Sequence, residues 1–293
     1  DPQRYGANDI NRFFAPFGTI YYFFQDFSSA EKRTEKRHWI ELVQLNPSQT
    51  EPDLQRVPPS VAISYRLTAT HWPENDQQQG PATFEEIAQR STGVKKLAIL
   101  RADVDNLGTI FRIGLGQNAT VSRVAALSTA LSDFFEGYLN HFAQTEYRDK
   151  IGIIYAGGDD LFLVGAWNAV FEFAIKLHEK FEEYAGYNPE LSFSGGIVVI
   201  DHHLPIRFAA ELAQDAEEIA KKYQRGKNLE RRKNAITLFN QPIGFEEINR
   251  FIEFRQNIQD LLEPNQDDKK KLPQGFLRRL FEIWEVYLKE KEN

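Results

Sequence analysis

The 293-residue chain contains no cysteine, which excludes disulfides, zinc–thiolate sites, iron–sulfur clusters and a cysteine nucleophile. It has no methionine either, where usage of roughly 2% would give about six. A chain that opens on Asp1 without methionine reads as a piece of a longer one. No run of about 18 apolar residues is present, so no membrane-spanning helix is expected. The opening DPQRYGANDI lacks the basic-then-apolar order of a signal peptide. The expected location is cytoplasmic, with no membrane partner. Nor is there a basic excess: Lys+Arg 35 against Asp+Glu 42 leaves −7, so the chain as a whole exerts no pull on nucleic acid. What is abundant is phenylalanine, at 23 residues, a large supply of core side chains.

Residues 1–93 read as a β-rich segment with a linker. Thr19–Phe27, Trp39–Leu45 and Val61–Thr70 carry aromatic and β-branched residues, and PENDQQQGPA (73–82) reads as a linker or long loop. Thr83 and Glu86 form a capping box for a short helix that stops near Gly93. From residue 94 to 242 the pattern changes. KKLAILRADVD (95–105) is an apolar run ending in acids, as in a buried central strand. A helix is expected over 119–145. IGIIYA (151–156) and LFLVGA (161–166) flank GGDD as a hairpin. An amphipathic helix over 167–184, a strand over 191–200, a helix opened by Pro205 and a strand over 235–239 follow. The order is that of an α+β, ferredoxin-like βαββαβ domain with an added αβ unit. Residues 243–293 read as a helical domain of two amphipathic helices, broken around Pro264–Pro273.

Two acidic clusters stand out: Asp103-Val104-Asp105 and Gly157-Gly158-Asp159-Asp160. With the first strand and the hairpin strands as central neighbours, the clusters meet at one sheet end. No Lys or Arg adjoins them in sequence. Carboxylates that close repel unless a cation sits among them. Oxygen donors select Mg²⁺ or Mn²⁺. The expected metal set is Asp103, Val104, Asp105, Asp159 and Asp160, holding two ions that activate an attacking hydroxyl and stabilise leaving pyrophosphate. Gly157 and Gly158 permit the tight turn and close ligand approach. The plain alternative is that GGDD is only a good turn.

Secondary features follow. Asn106-Leu107-Gly108 leaves the first strand and offers backbone N–H groups to a triphosphate, or is an ordinary strand exit. Lys221, Lys222, Arg225, Lys227, Arg231, Arg232 and Lys233 form a basic cluster, read as a solvated helix end except at Lys222 and Lys227. The glycines of Ser194-Gly195-Gly196 inside a strand suggest either close approach of a base or ribose, or a bulge. His202-His203 has no acidic partner at metal spacing and is read as bland.

LAILRADVDNLGTIF, IIYAGGDDLFLVGAW and LSFSGGI together resemble the palm domain of the large, polymerase-like subunit of type III CRISPR effector complexes, in wording nearest the III-A form. The likeness is strong over about 84–240 and weaker on both sides, where the family has an adaptor and a C-terminal helical domain. It implies an ATP substrate, joined into cyclic oligoadenylates once the complex captures target RNA. It also implies guide RNA and further complex subunits as partners. By the same likeness Asp103 and Asp159 or Asp160 are catalytic metal ligands; the helix end carrying Lys222, with Lys227 beyond it, is similar to the one that faces the triphosphate in nucleotidyl cyclases. The family's His-Asp nuclease pair is absent: none of His38, His71, His141, His178, His202 and His203 precedes an Asp. Its first palm is not visible either. The GGDEF diguanylate cyclases share the hairpin turn, but Leu161 follows GGDD here, and their Phe-Lys and Asn-Asp stretches are missing. A reading of another class is a scaffold that holds RNA and neighbouring subunits and senses nucleotide without reacting.

Overall fold

The computed structural model describes residues 11–14, 20–23, 41–45, 57–114, 116, 120–224 and 233–262, with a few positions between 273 and 283. They fall into two compact units, Asp1–Thr68 and Ala69–Asn293. In the first, β1 (Asn11–Phe14) pairs antiparallel with β2 (Ile20–Phe23), and β3 (Glu41–Leu45) pairs parallel with β4 (Ala62–Arg66). Strand β1 is not among the expected strands.

The second unit starts well before the expected boundary at 94. Trp72 and helix α1 (Phe84–Gln89) pack into its core, and the capping box of Thr83 and Glu86 is formed. Of the two readings of 73–82, linker or long loop, the structure shows a loop held by hydrogen bonds. Asn75 N donates to the Gly80 carbonyl at 2.8 Å, and the Arg90 guanidinium grips Asp76 and the Glu74 carbonyl.

The sheet runs β10 (Gln241–Gly244), β9 (Ala235–Leu238), β8 (Phe193–Ile200), β5 (Leu97–Val104), β7 (Asp160–Ala166), β6 (Ile151–Gly157). The inner run β8-β5-β7-β6 is antiparallel, the ferredoxin-like order, and β9 adds parallel to β8. One expectation needs correcting: only β7 of the hairpin neighbours β5, while β6 lies beyond it. Strand β10, opened by Gln241-Pro242, was also not anticipated; its Pro suits the last strand of the sheet.

The pleat of β5 divides its side chains between two faces. Ala98, Leu100, Ala102 and Val104 join one core with Leu131, Phe134, Phe142, Phe173 and Phe181. These come from α2 (Val121–Ser132), the following segments, and α4 (Trp167–Tyr184). Between α2 and α3 (Leu139–Glu146) the chain widens to a π-helical stretch, Asp133–Tyr138. The wide turn accompanies burial of both Phe134 and Phe135, adjacent in sequence. Leu97 and Ile99 face the other way, against Ala209 and Ala213 of α5 (Ile206–Lys222). Phe245 and Ile248 of α6 (Phe245–Leu262) cap the first core.

Helix α5 lies unusually close to the sheet. A Cβ on Gly196 would stand 2.4 Å from Glu217 N and 2.6 Å from the Ala216 carbonyl carbon. This explains the strand glycine, and neither a base nor a bulge is involved at that position.

Candidate active site

By the alternation of β5, Arg101 and Asp103 continue the Leu97–Ile99 face, the one covered by α5. Asp103 pairs in register with Asp160 on β7 and with Ser194 on β8. Val104 N donates to the Asp159 carbonyl at 3.2 Å, fixing the hairpin turn against the strand end. The two clusters therefore meet, as the sequence predicts. Asp159 and Asp160 both feel the charge of Asp103. Burial, then the Asp103 charge, pushes Asp160 up to about 6. The same causes raise Asp159, with Lys221 opposing.

The turn itself is open. Gly158 has φ +64°, and a Cβ there would meet nothing within 4 Å. Asn106 adopts a left-handed φ of 57° and leads into a helical turn, Leu107–Thr109. Leu107, Gly108 and Phe111 line a pocket of about 370 Å³ with Ser128, Leu131, Gly158 and Asp159. Leu107 and Gly108 of the strand exit thus share a cavity with Asp159.

A cation that the sequence reading missed sits in this site. Lys221 Nζ bonds the Asp103 carboxylate and, at 2.6 Å, Glu217 Oε1. Arg101 Nε ion-pairs with Glu217 Oε2 at 2.9 Å. The result is a chain of alternating charge, Arg101–Glu217–Lys221–Asp103. Burial works to lower the Lys221 pKa, but the bonds to Asp103 and Glu217 outweigh it and raise it. The expectation of acids without a basic neighbour is corrected here. The lysine comes from a helix more than a hundred positions away, and proximity in sequence gave no sign of it.

Other expected residues are placed differently. Lys222 is exposed and its nearest partner is Glu218, at 3.5 Å. Lys227, with Arg225, Arg231 and Arg232, lies outside the described residues. Ser194 is fully buried and donates to Asp105 Oδ2 at 3.0 Å, so its hydroxyl holds a side chain of the protein. Asp105 is itself buried, not turned to solvent with Asp103. Its Oδ2 also accepts from Ser192 Oγ at 2.7 Å and Asn234 N at 3.0 Å. Burial raises its pKa, and those three bonds oppose the rise. It braces the end of β5 against β8 and the residue that leads into β9. Val104 is buried, which leaves only its backbone for a metal. His202 and His203 do have an acidic partner, Asp201. His203 Nδ1 lies 2.7 Å and His202 Nδ1 3.8 Å from Asp201 Oδ1, while Lys96 holds the other oxygen at 2.8 Å.

The donor set suits a hard divalent ion. Asp103, Asp159 and Asp160 offer oxygen only, their charges repel, and Asp160 is already driven toward its neutral form. Among the described residues these acids do not close into a set with every ligand oxygen within 4.8 Å of the others. The Lys221 ammonium supplies the positive charge at Asp103.

The fold and this acid cluster define a palm-type domain, a ferredoxin-like sheet with carboxylates gathered at the ends of its central strands. Residues 96–230 match the model of the Cas10/Cmr2 second palm domain. The chain is 36% identical over 203 residues to the subtype III-A single-strand-specific deoxyribonuclease Cas10/Csm1 of Methanocaldococcus jannaschii, covering 63% of this chain and 25% of the relative. The Streptococcus thermophilus counterpart is 34% identical over 212 residues, covering 68% and 25%. The chain thus spans about a quarter of the length of these curated relatives. The fold matches a Csm1–Csm4 cassette in complex with pppApA at TM-score 0.73 and 20% identity, over 97% of this chain and 41% of that one. A Csm1–Csm4 cassette with AMPPNP matches at 0.71 and 21%, over 97% and 42%. Among the described residues, no helix is long and apolar enough to cross a membrane.

Proposed function

We propose that this chain carries a nucleotidyltransferase palm that joins ATP molecules into cyclic oligoadenylates within an RNA-guided type III effector complex. The observation that carries the reading is the in-register pair of Asp103 and Asp160, with Asp159 opening onto the pocket of Leu107, Gly108 and Phe111. The solved neighbours hold pppApA, AMPPNP and the cyclic products cA3 and cA4 in cassettes with Csm4, which supports ATP as substrate and a partner subunit of that kind.

In this reading Asp103, Asp159 and Asp160 hold two Mg²⁺ or Mn²⁺ ions, with the Val104 carbonyl as a backbone donor. Bound there, the ions supply charge neutralisation and a lowered pKa for the attacking ribose 3′-hydroxyl. The protein's own part is mostly positioning. The apolar walls of Leu107, Phe111 and Leu131 take the nucleoside and exclude water. Gly158, with no side chain, leaves room for phosphate at the turn. Lys221, rather than Lys222, offsets triphosphate charge. One palm offers one nucleotide site, so bond formation also needs an acceptor from outside this domain. Guide and target RNA act through the assembled complex.

The test is product formation. An effector complex containing this chain, given ATP, Mg²⁺ and target RNA, should yield cyclic oligoadenylates by mass spectrometry. Asp159→Ala/Asp160→Ala should abolish them while target RNA binding persists. Unchanged product in that variant would return the palm to a scaffolding role.

A further inference from the structure

We infer that Lys221 is a built-in counter-cation that occupies the acid cluster in the metal-free protein and must be displaced from Asp103 when a divalent ion binds. The inference rests on the reading of Asp103, Asp159 and Asp160 as metal ligands.

The argument starts from the helix. Ala209, Ala213, Ala216 and Ala220 are buried, and Gly196 lets the α5 backbone settle onto β8. That packing brings the last turns of α5 over the end of β5. Glu217 is buried there, and a buried carboxylate needs partners. It has two cations, Arg101 from β5 and Lys221 one turn on. Lys221 is thus held from behind by Glu217 while its ammonium reaches forward to Asp103. Asp103 stands opposite Asp160 in the β5–β7 ladder, so Lys221 neutralises one member of that acid pair.

Two cations cannot share one carboxylate oxygen at full strength. A divalent ion arriving at Asp103 meets an ammonium already bonded to it. Glu217 gives the displaced lysine a place to go, because its Oε1 bond at 2.6 Å can persist after the Asp103 bond breaks. The device keeps the acids compact without metal and sets a threshold for metal binding.

The device is tested on the full chain by Mn²⁺ binding without nucleotide, read by electron paramagnetic resonance of the free ion. Lys221→Met keeps the aliphatic stem and removes the competitor. It should tighten Mn²⁺ about tenfold, the weight of one charge-assisted bond. Lys222→Met removes the same charge one residue away and should change little. Glu217→Gln takes away the rear anchor, throws Lys221 wholly onto Asp103, and should weaken Mn²⁺ several-fold. The opposite signs separate the device from simple misfolding, which would weaken both. Equal affinity in wild type and folded Lys221→Met overturns the inference. Asp103→Asn/Asp160→Asn reports on the underlying reading: if it leaves Mn²⁺ binding intact, the acids are not the metal site at all.

Discussion

Asp103 and Asp160 occupy paired positions across the β5–β7 ladder, so the backbone holds side by side two carboxyl groups that repel each other. A site built this way stores repulsion in the metal-free protein. Asp160→Asn should therefore raise the melting temperature at pH 7 without metal. The sign follows from linkage. A carboxyl raised to about 6 binds its proton more tightly folded than unfolded, so stability falls as pH rises between about 4 and 6. The advantage of the variant should shrink toward pH 4, where both forms are neutral. An equal gap at both pH values would remove Asp160 as its source.

The two lysines at the end of α5 should behave differently toward ATP. With Mn²⁺ saturating, so that its own affinity drops out, Lys221→Ala should weaken ATP binding by about 1–3 kcal/mol, the size of a charge-assisted hydrogen bond. Lys222→Ala should change it by under about 0.5 kcal/mol, as for an exposed residue. Calorimetric titration of both variants ranks them, and the reverse ranking would put the phosphate on the outer face of the helix.

Gly196 carries the close approach of α5 to the sheet. Gly196→Ala forces a methyl against Glu217 N and should cost about 1–3 kcal/mol by overpacking, read by denaturant unfolding. The same variant should shift Lys221 and so alter metal binding. A stability unchanged within error would mean that α5 can move away freely.

His178 offers a second pH signature, on the far side of Asn234 from Asp105. It stacks on Phe245 with ring centroids 3.7 Å apart, and its Nε2 lies 2.6 Å from Asn234 Oδ1. Burial, only partly offset by that contact, lowers its pKa to about 4. The unfolded chain takes up the proton first, so stability is complete above about 6.5 and is lost as pH falls toward 4, by on the order of 3 kcal/mol. His178→Gln keeps a partner for Asn234 without titrating. Its stability should decline less than that of wild type over this window; parallel curves would show that His178 carries no linkage.

Much of this was legible because it is periodic. Leu97–Val104 reads as a buried strand from its run, the hairpin from its turn residues, and α4 from its apolar spacing, and all three form. The meeting of Asp103 with Asp160 then follows from topology alone. The lysine could not be placed the same way. One residue along a helix turns the side chain by about 100°, so reading Lys222 for Lys221 moves the charge from the site to solvent. Nor does Ser194-Gly195-Gly196 announce its role. The hydroxyl answers to Asp105, Gly196 to the α5 backbone and Gly195 to β5, partners far off in sequence. Asp105 illustrates the same limit, because two acids with one residue between them look alike until Ser192 and Asn234 close over one of them.

The central claim is that the acids at the ends of β5 and β7 bind nucleotide through divalent metal. Calorimetric titration of the full chain with ATP, with and without Mn²⁺, tests it most directly. The account predicts binding with Mn²⁺, little without it, and loss of the metal-dependent part in Asp159→Ala/Asp160→Ala. ATP binding of equal strength with and without Mn²⁺, or unaltered in that variant, would contradict it.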